Sequence, residues 1–171
     1  MRFSDAFDKR FPLHWISYVV QSLLASVSIF LVLVALRQQN LVVAASLAAT
    51  AFTVFTMPGS VTASTRNVLG GHAFGLLFGS VFALVSPESA ILQDAMYALG
   101  VGGAMLAMAS TNTEHPPAAG TALGVIIAGF SWNIVIGVLI GVGLLALIHR
   151  LLKPYLRDLI APPEKAQNGK P

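Results

Sequence analysis

Long apolar runs separated by short polar segments make up most of this chain. A helix needs ~20 apolar residues to cross a bilayer, and five runs approach that length: 16–36, 41–57, 70–86, 95–110 and 132–152. A sixth apolar run, 118–129, is too short to cross alone and follows two consecutive prolines. The pattern predicts an all-α fold, a polytopic transmembrane helix bundle with five full spans and one short broken helix.

Composition supports this class of protein. Hydrophobic residues make up 56% of the 171 residues and charged residues 10%, which is outside the usual balance of a soluble domain. Because the charges collect at the two ends, we divide the chain into a cytoplasmic or interfacial segment (1–15), a transmembrane domain (16–152) and a largely disordered cytoplasmic tail (153–171). The chain has no cysteine, and its basic tails lack the aromatic-interleaved patches typical of nucleic-acid binding.

The distribution of lysine and arginine predicts the orientation. Both tails are rich in these residues, which places both termini in the cytoplasm and requires an even number of crossings. Counting 118–129 as a short crossing gives six, and puts the loops 58–69 and 111–117 on the cytoplasmic side together. A re-entrant 118–129 would instead place the basic C-terminal tail outside, so we prefer six. A first span about fifteen residues from Met1 favours a bacterial cytoplasmic membrane over a plastid precursor, with a processed organellar protein as the alternative.

Two polar segments interrupt the apolar pattern. The first, "MPGSVTASTRNVLGGH" at 57–72, contains Arg66, Asn67 and His72, and the second is "TEHPPAAGTALG" at 113–124. Taken singly, an arginine, glutamate or histidine here also fits an ordinary loop residue. Since both segments emerge on one side and ionisable groups near membrane depth are functional candidates, we expect their polar side chains to meet.

The second segment also predicts a helix start. Pro116 fits outside the helix and Pro117 fits its first turn, where a missing N–H costs nothing. Free N–H groups of residues 118–120 and the helix dipole would then favour a small anion. The predicted substrate-binding residues are Arg66, Asn67, His72, Glu114, His115, Pro116, Pro117 and Thr121.

Glycines recur at four-residue spacing along three of the apolar runs. Such stripes let helix backbones approach closely, so we assign them to helix packing, with a narrow pore lining as the alternative. Slender helices also suit assembly into a homo-oligomer. The residues are Gly71, Gly75 and Gly79, then Gly120 and Gly124, then Gly137 and Gly141.

The two polar segments together resemble the HPP family of integral membrane proteins, through "RNVLGGH" at 66–72 and "EHPPAAGTALG" at 114–124. The resemblance extends roughly from the first span to the last. One departure is the order Ala118, Ala119, Gly120, where the family often has a glycine followed by an alanine. The resemblance implies a polytopic membrane protein whose chloroplast and cyanobacterial relatives are nitrite transporters, while many members have no established substrate. By this resemblance, the functional core consists of Arg66, Asn67, Gly71, His72, His115, Pro116 and Pro117.

The leading functional hypothesis is a transporter or channel for a small monovalent anion, nitrite by resemblance. Because a negative-inside potential opposes anion entry, a proton carried by His115 beside Glu114 is the candidate for coupling. The alternative is a non-transporting scaffold or regulatory subunit assembled through the glycine stripes. We expect no enzyme activity, cofactor or metal site, because the sequence lacks H-E-x-x-H, a serine nucleophile elbow and clustered carboxylates.

Overall fold

Six α-helices form the part of the chain described by this computed structural model, residues 11–36, 41–85 and 87–160. Short 3-10 turns lie at Val61–Ala63 and Lys153–Tyr155. The all-α prediction is confirmed for these residues, whereas the predicted features of 1–10, 37–40 and 161–171 lie outside them. The helices are α1 (Phe11–Leu36), α2 (Leu41–Thr56), α3 (Thr65–Ala83), α4 (Ala90–Ser110), α5 (Pro117–Ala128) and α6 (Trp132–Leu152).

The prediction of five full spans is wrong. Within the described residues, three segments are long and apolar enough to cross a membrane: Phe11–Val34, Ala90–Ser110 and Trp132–Tyr155. The apolar part of α2, Val42–Thr56, is shorter, because the Pro58–Gly59 turn follows it closely. Although α3 has 19 residues, its first two turns carry polar side chains.

The short helix α5 is a separate element, as predicted from the two prolines. Its 12 residues correspond to ~18 Å at 1.5 Å per residue, against ~30 Å for the hydrocarbon core. It packs against α2, α3 and α4. The centre of the bundle is therefore built around a helix that is too short to span the membrane.

The segment that follows α6 contacts both α1 and the turn after α2. In the first half of α1, Gln21 Nε2 donates a hydrogen bond to the Arg157 carbonyl oxygen at 2.9 Å. The backbone N–H of Leu159 donates to the Thr56 carbonyl oxygen at 2.8 Å, and the N–H of Gly59 donates to Asp158 Oδ1 at 2.8 Å. The segment after α6 thus joins α1 to the turn that follows α2, while the even number of crossings stays a prediction.

Glycines bring α3 and α5 into backbone contact. A methyl group added at Gly75 would lie 2.5 Å from the Ala118 carbonyl oxygen, and one at Gly79 would lie 2.9 Å from the Ala122 carbonyl oxygen. Gly71 faces His115 in the same way, with 2.7 Å between the added methyl group and the His115 Cβ. The packing role predicted for this α3 stripe is confirmed.

The α5 glycines face α2 on the other side. An added methyl group at Gly124 would lie 3.0 Å from Val43 Cγ2, and one at Gly120 would lie 3.4 Å from Ser46 Cβ. In α6, Gly141 is buried, while the role of Gly137 stays a prediction. The glycines of α3 and α5 thus serve packing inside the bundle.

We expect Gly75→Ala to lower the free energy of unfolding in detergent by about 1–3 kcal/mol, because the new methyl group would overpack the α3–α5 contact. The matched control is Gly102→Ala, since a methyl group there meets nothing within 4 Å and alanine is the better helix former. Thermal unfolding followed by circular dichroism compares the two variants. Equal stability of Gly75→Ala and wild type would contradict this account of the packing.

Candidate functional site

Hydrogen bonds from Arg66 and Asn67 connect the start of α3 to the segment between α4 and α5. The N-cap residue of α3, Ser64, accepts from the Asn67 N–H and donates to Asn67 Oδ1. This orients the amide so that Asn67 Nδ2 donates to the Glu114 carbonyl oxygen at 3.0 Å. Arg66 Nη2 donates to the Thr111 carbonyl oxygen at 2.9 Å. The prediction that polar groups of the two segments meet is confirmed.

Beneath these bonds lie two buried histidines that share one threonine. His72 of α3 and His115 of the α4–α5 loop are 1% and 0% exposed, and their ring centroids are 5.1 Å apart. The hydroxyl of Thr50, on α2, lies 2.8 Å from His72 Nε2 and 3.1 Å from His115 Nε2. Three elements distant in sequence thus converge on one hydroxyl group.

The hydrogen bonds continue from His72 into α5 and back to α2. His72 Nδ1 lies 2.8 Å from Thr121 Oγ1, which lies 2.5 Å from Ser46 Oγ. Ser46 Oγ in turn lies 3.1 Å from the Pro117 carbonyl oxygen. We call the whole connected set the histidine–hydroxyl chain: Ser46, Thr121, His72, Thr50 and His115.

The other end of this chain is a backbone carbonyl. His115 Nδ1 lies 2.8 Å from the Thr62 carbonyl oxygen. A carbonyl oxygen only accepts hydrogen bonds, so His115 carries a proton on Nδ1. The tautomer of neutral His115 is therefore set by the 3-10 turn that precedes α3.

Local structure explains why these side chains reach one another. Pro116 is the N-cap residue with helical dihedral angles, and α5 begins at Pro117, so the helix start fixes His115 beside it. On α2, Ser46 and Thr50 are four residues apart and share one face of the helix. The small residue Gly75 lets α5 approach close enough for Thr121 to reach His72.

The predicted free N–H groups at the start of α5 are not all free. The N–H of Ala118 donates to the His115 carbonyl oxygen at 2.9 Å, and that of Ala119 donates to the Pro116 carbonyl oxygen at 3.1 Å. The helical backbone of Pro116 turns these carbonyls toward the helix start, which closes a tight first turn. The prediction of free donors is thus wrong for two of the three residues.

The predicted charged residues lie outside the histidine–hydroxyl chain. Arg66 and Glu114 are both exposed, and Glu114 contributes its backbone carbonyl to the contact with Asn67. Pro116 is also exposed, whereas Pro117 is partly buried. Of the predicted site residues, His72, His115 and Thr121 are the ones that the structure joins through side chains.

Sequence reasoning missed the α2 contribution. Ser46 and Thr50 are 4% and 0% exposed, and neither was among the predicted site residues. Their spacing of four on an otherwise apolar helix is a signal that would have indicated a polar stripe. The Thr62 carbonyl had no such signal, because every residue has a backbone carbonyl.

Two cavities flank α5, and each reaches one end of the histidine–hydroxyl chain. A groove of about 480 Å³ between α2 and α5 is lined by Ser46, Pro117 and Gly120 among others. A cavity of about 260 Å³ between α4 and α5 is lined by Met108, Glu114 and His115 among others. Within the described part of the chain, no three histidine or acidic side chains gather as metal ligands.

These features, an apolar helix bundle with a polar interior, define an integral membrane protein. The chain belongs to the HPP family, because the model of the HPP transmembrane region matches residues 10–158. The family resemblance noted in the sequence is thereby confirmed.

Two curated proteins of Dictyostelium discoideum are similar to this chain, and both are named only as transmembrane proteins. One is 34% identical over 122 residues, which are 68% of this chain and 43% of the relative. The other is 30% identical over 90 residues, 53% of this chain and 29% of the relative. The chain spans less than half the length of these relatives. No solved structure matches it.

We expect Asn67→Asp to destabilise the contact between the two polar segments by about 1–3 kcal/mol, because a buried carboxylate would replace the donor that faces the Glu114 carbonyl. Asn112→Asp is the matched control, since Asn112 is exposed and its left-handed backbone conformation also suits aspartate. Thermal unfolding in detergent measures both. Comparable losses in the two variants would argue against this contact.

Proposed function

We propose that this protein is a transporter or channel for a small monovalent anion. Nitrite is the first candidate because of the resemblance at 66–72 and 114–124. We further propose that it acts in the bacterial cytoplasmic membrane with both termini in the cytoplasm. In this proposal the substrate crosses the membrane without chemical conversion.

The observation that carries this proposal is the histidine–hydroxyl chain inside an apolar bundle. Burying polar groups is costly even when they are hydrogen-bonded, and packing alone requires no histidine. Ionisable residues within membrane segments commonly mark the path of a substrate or ion. One buried histidine, His115, lines the α4–α5 cavity, and hydrogen bonds connect it to Ser46, which lines the α2–α5 groove. This arrangement favours a pathway along α5.

Recognition of an anion is assigned to side chains. With the N–H groups of Ala118 and Ala119 engaged in the first turn of α5, fewer backbone donors remain for an anion. Arg66 is the exposed cation of the α3 start and would attract an anion to this end of the bundle. His115 lines the α4–α5 cavity, and its protonated imidazole would donate Nε2–H to the anion in place of the Thr50 hydroxyl.

The scaffold hypothesis receives less support. It requires glycine stripes that are open to a partner, whereas Gly75, Gly79 and Gly124 face other helices of the same chain. Their packing stabilises the single bundle. Assembly into a homo-oligomer through other faces is compatible with transport.

Uptake into proteoliposomes tests the proposal. We expect saturable nitrite uptake by the wild type, compared with nitrate, formate and chloride. His115→Ala should slow it by about 10- to 100-fold, the equivalent of the ~1.5–3 kcal/mol contributed by a hydrogen bond to a charged group. His14→Ala is the matched control, because His14 is exposed and pairs with Arg157, far from the cavities in sequence.

Circular dichroism and gel filtration of each variant separate loss of transport from loss of folding. If no anion enters above the level of protein-free vesicles under any gradient, anion transport is overturned. If His115→Ala transports like the wild type, His115 has no part in recognition.

A further inference from the structure

The histidine–hydroxyl chain lies between two acceptors that cannot donate, the carbonyl oxygens of Pro117 and Thr62. Among the described residues, six successive contacts of 2.5–3.1 Å connect these two oxygens. Each contact needs one proton to be a hydrogen bond. The five side chains carry one such proton each when both imidazoles are neutral. Thr50 Oγ1 also lies 3.0 Å from the Ser46 carbonyl oxygen, one turn earlier in α2, a contact that branches off the path between the two ends. Along the six contacts of that path, the neutral chain is therefore one proton short.

The contact that lacks a proton is the one between Ser46 Oγ and the Pro117 carbonyl oxygen, at the end next to the α2–α5 groove. Leaving a buried polar group without a partner is costly, while Ser46 and Pro117 line that groove. When the Ser46–Pro117 contact lacks a proton, each of the five side chains donates toward the Thr62 end of the chain. Thr121 donates to His72 Nδ1, and His72 Nε2–H donates to Thr50. Thr50 donates to His115 Nε2 in preference to the Ser46 carbonyl oxygen, because that imidazole nitrogen would otherwise be buried without a donor.

Adding one proton fills the vacant contact and reverses the chain. Ser46 takes up the proton and donates to the Pro117 carbonyl, having passed its own proton to Thr121. Each following group likewise breaks one O–H or N–H bond and forms another. The last transfer gives His115 its second N–H, so the added charge ends on its imidazolium. His72 remains neutral, but its proton has moved from Nε2 to Nδ1.

We propose that the histidine–hydroxyl chain is a proton relay, which takes up one proton at Ser46 and stores it on His115 beside the α4–α5 cavity. Both the empty and the loaded chain satisfy all the buried side chains. The two carbonyl ends limit the capacity to one proton. As a device for coupling, the relay rests on the proposed anion transport, but the relay itself does not depend on the substrate.

The surroundings contain few other groups that titrate or carry charge. His72 is the titratable partner that α3 presents to His115, and Arg66 and Glu114 are exposed nearby in sequence. The packed segments of α2 and α5 contain no ionisable side chain. Asp94 lies in the first turns of α4, at the opposite end of that helix from the His-Pro-Pro segment. His149 of α6 makes none of the relay's hydrogen bonds.

Nitrogen-15 NMR of histidine-labelled protein in lipid nanodiscs tests the relay directly. In alkaline buffer we expect opposite tautomers, with His115 protonated on Nδ1 and His72 on Nε2. On acidification His115 gains one proton, and His72 changes to the Nδ1–H tautomer in the same step. The four histidines are assigned from variants with single histidines replaced by glutamine.

Variants at the shared threonine provide the control. Thr50→Val removes the central hydroxyl and should abolish the tautomer change of His72, whereas Thr50→Ser should retain it. Thr56→Val is the matched substitution, because the Thr56 hydroxyl bonds only within α2, to the Phe52 carbonyl. Identical tautomers in the alkaline wild type, or a tautomer change that survives Thr50→Val, would overturn the relay. If Thr50→Val does not fold, the wild-type and Thr50→Ser spectra still show whether the His72 tautomer changes when His115 gains its proton.

The same preparation separates this inference from the transport proposal. A tautomer change without uptake of any anion would support the relay and refute anion transport. Nitrite uptake without a tautomer change would support transport and refute the relay.

Discussion

The close approach of α3 and α5 is the contact on which the rest of the bundle depends. Gly75 and Gly79 lie against the carbonyl oxygens of Ala118 and Ala122, where no side chain would fit. This approach brings His72 within hydrogen-bond distance of Thr121. It also seats a helix of only 12 residues at the centre, where neighbouring helices surround it and replace the bilayer as its environment.

A second constraint is that buried polar groups must be paired. In the histidine–hydroxyl chain, each bond joins side chains from two different elements among α2, α3, α5 and the α4–α5 loop. Substituting one member leaves its neighbours without a bond, so the cost spreads along the chain. Such a network favours one arrangement of the helices over others with equally apolar surfaces. The polar interior therefore specifies the fold as well as the chemistry.

The His-Pro-Pro segment combines these two constraints. The two prolines separate α5 from the preceding loop, and α5 begins at Pro117. This fixes His115 at the helix start. The first turn then uses the N–H groups of Ala118 and Ala119 internally, so the chemistry of the segment resides in the imidazole. Asn67 holds the segment from α3 through the Glu114 carbonyl. The segment before α5 is thus bonded to α3 through the Glu114 backbone carbonyl and to the turn before α3 through the His115 side chain.

Local sequence patterns predict the membrane class, the helical fold, the break at Pro116 and the packing role of the α3 and α5 glycines. These follow from local hydrophobicity, proline geometry and residue size. The sequence also predicts that the two polar segments meet. The packed structure was needed to show which helices reach spanning length, that Thr50 joins the two histidines, and that the Thr62 carbonyl ends their chain of bonds. Those contacts join residues 22 to 65 positions apart, and the sequence around a hydroxyl or carbonyl group does not indicate which distant group it will bond after the helices pack.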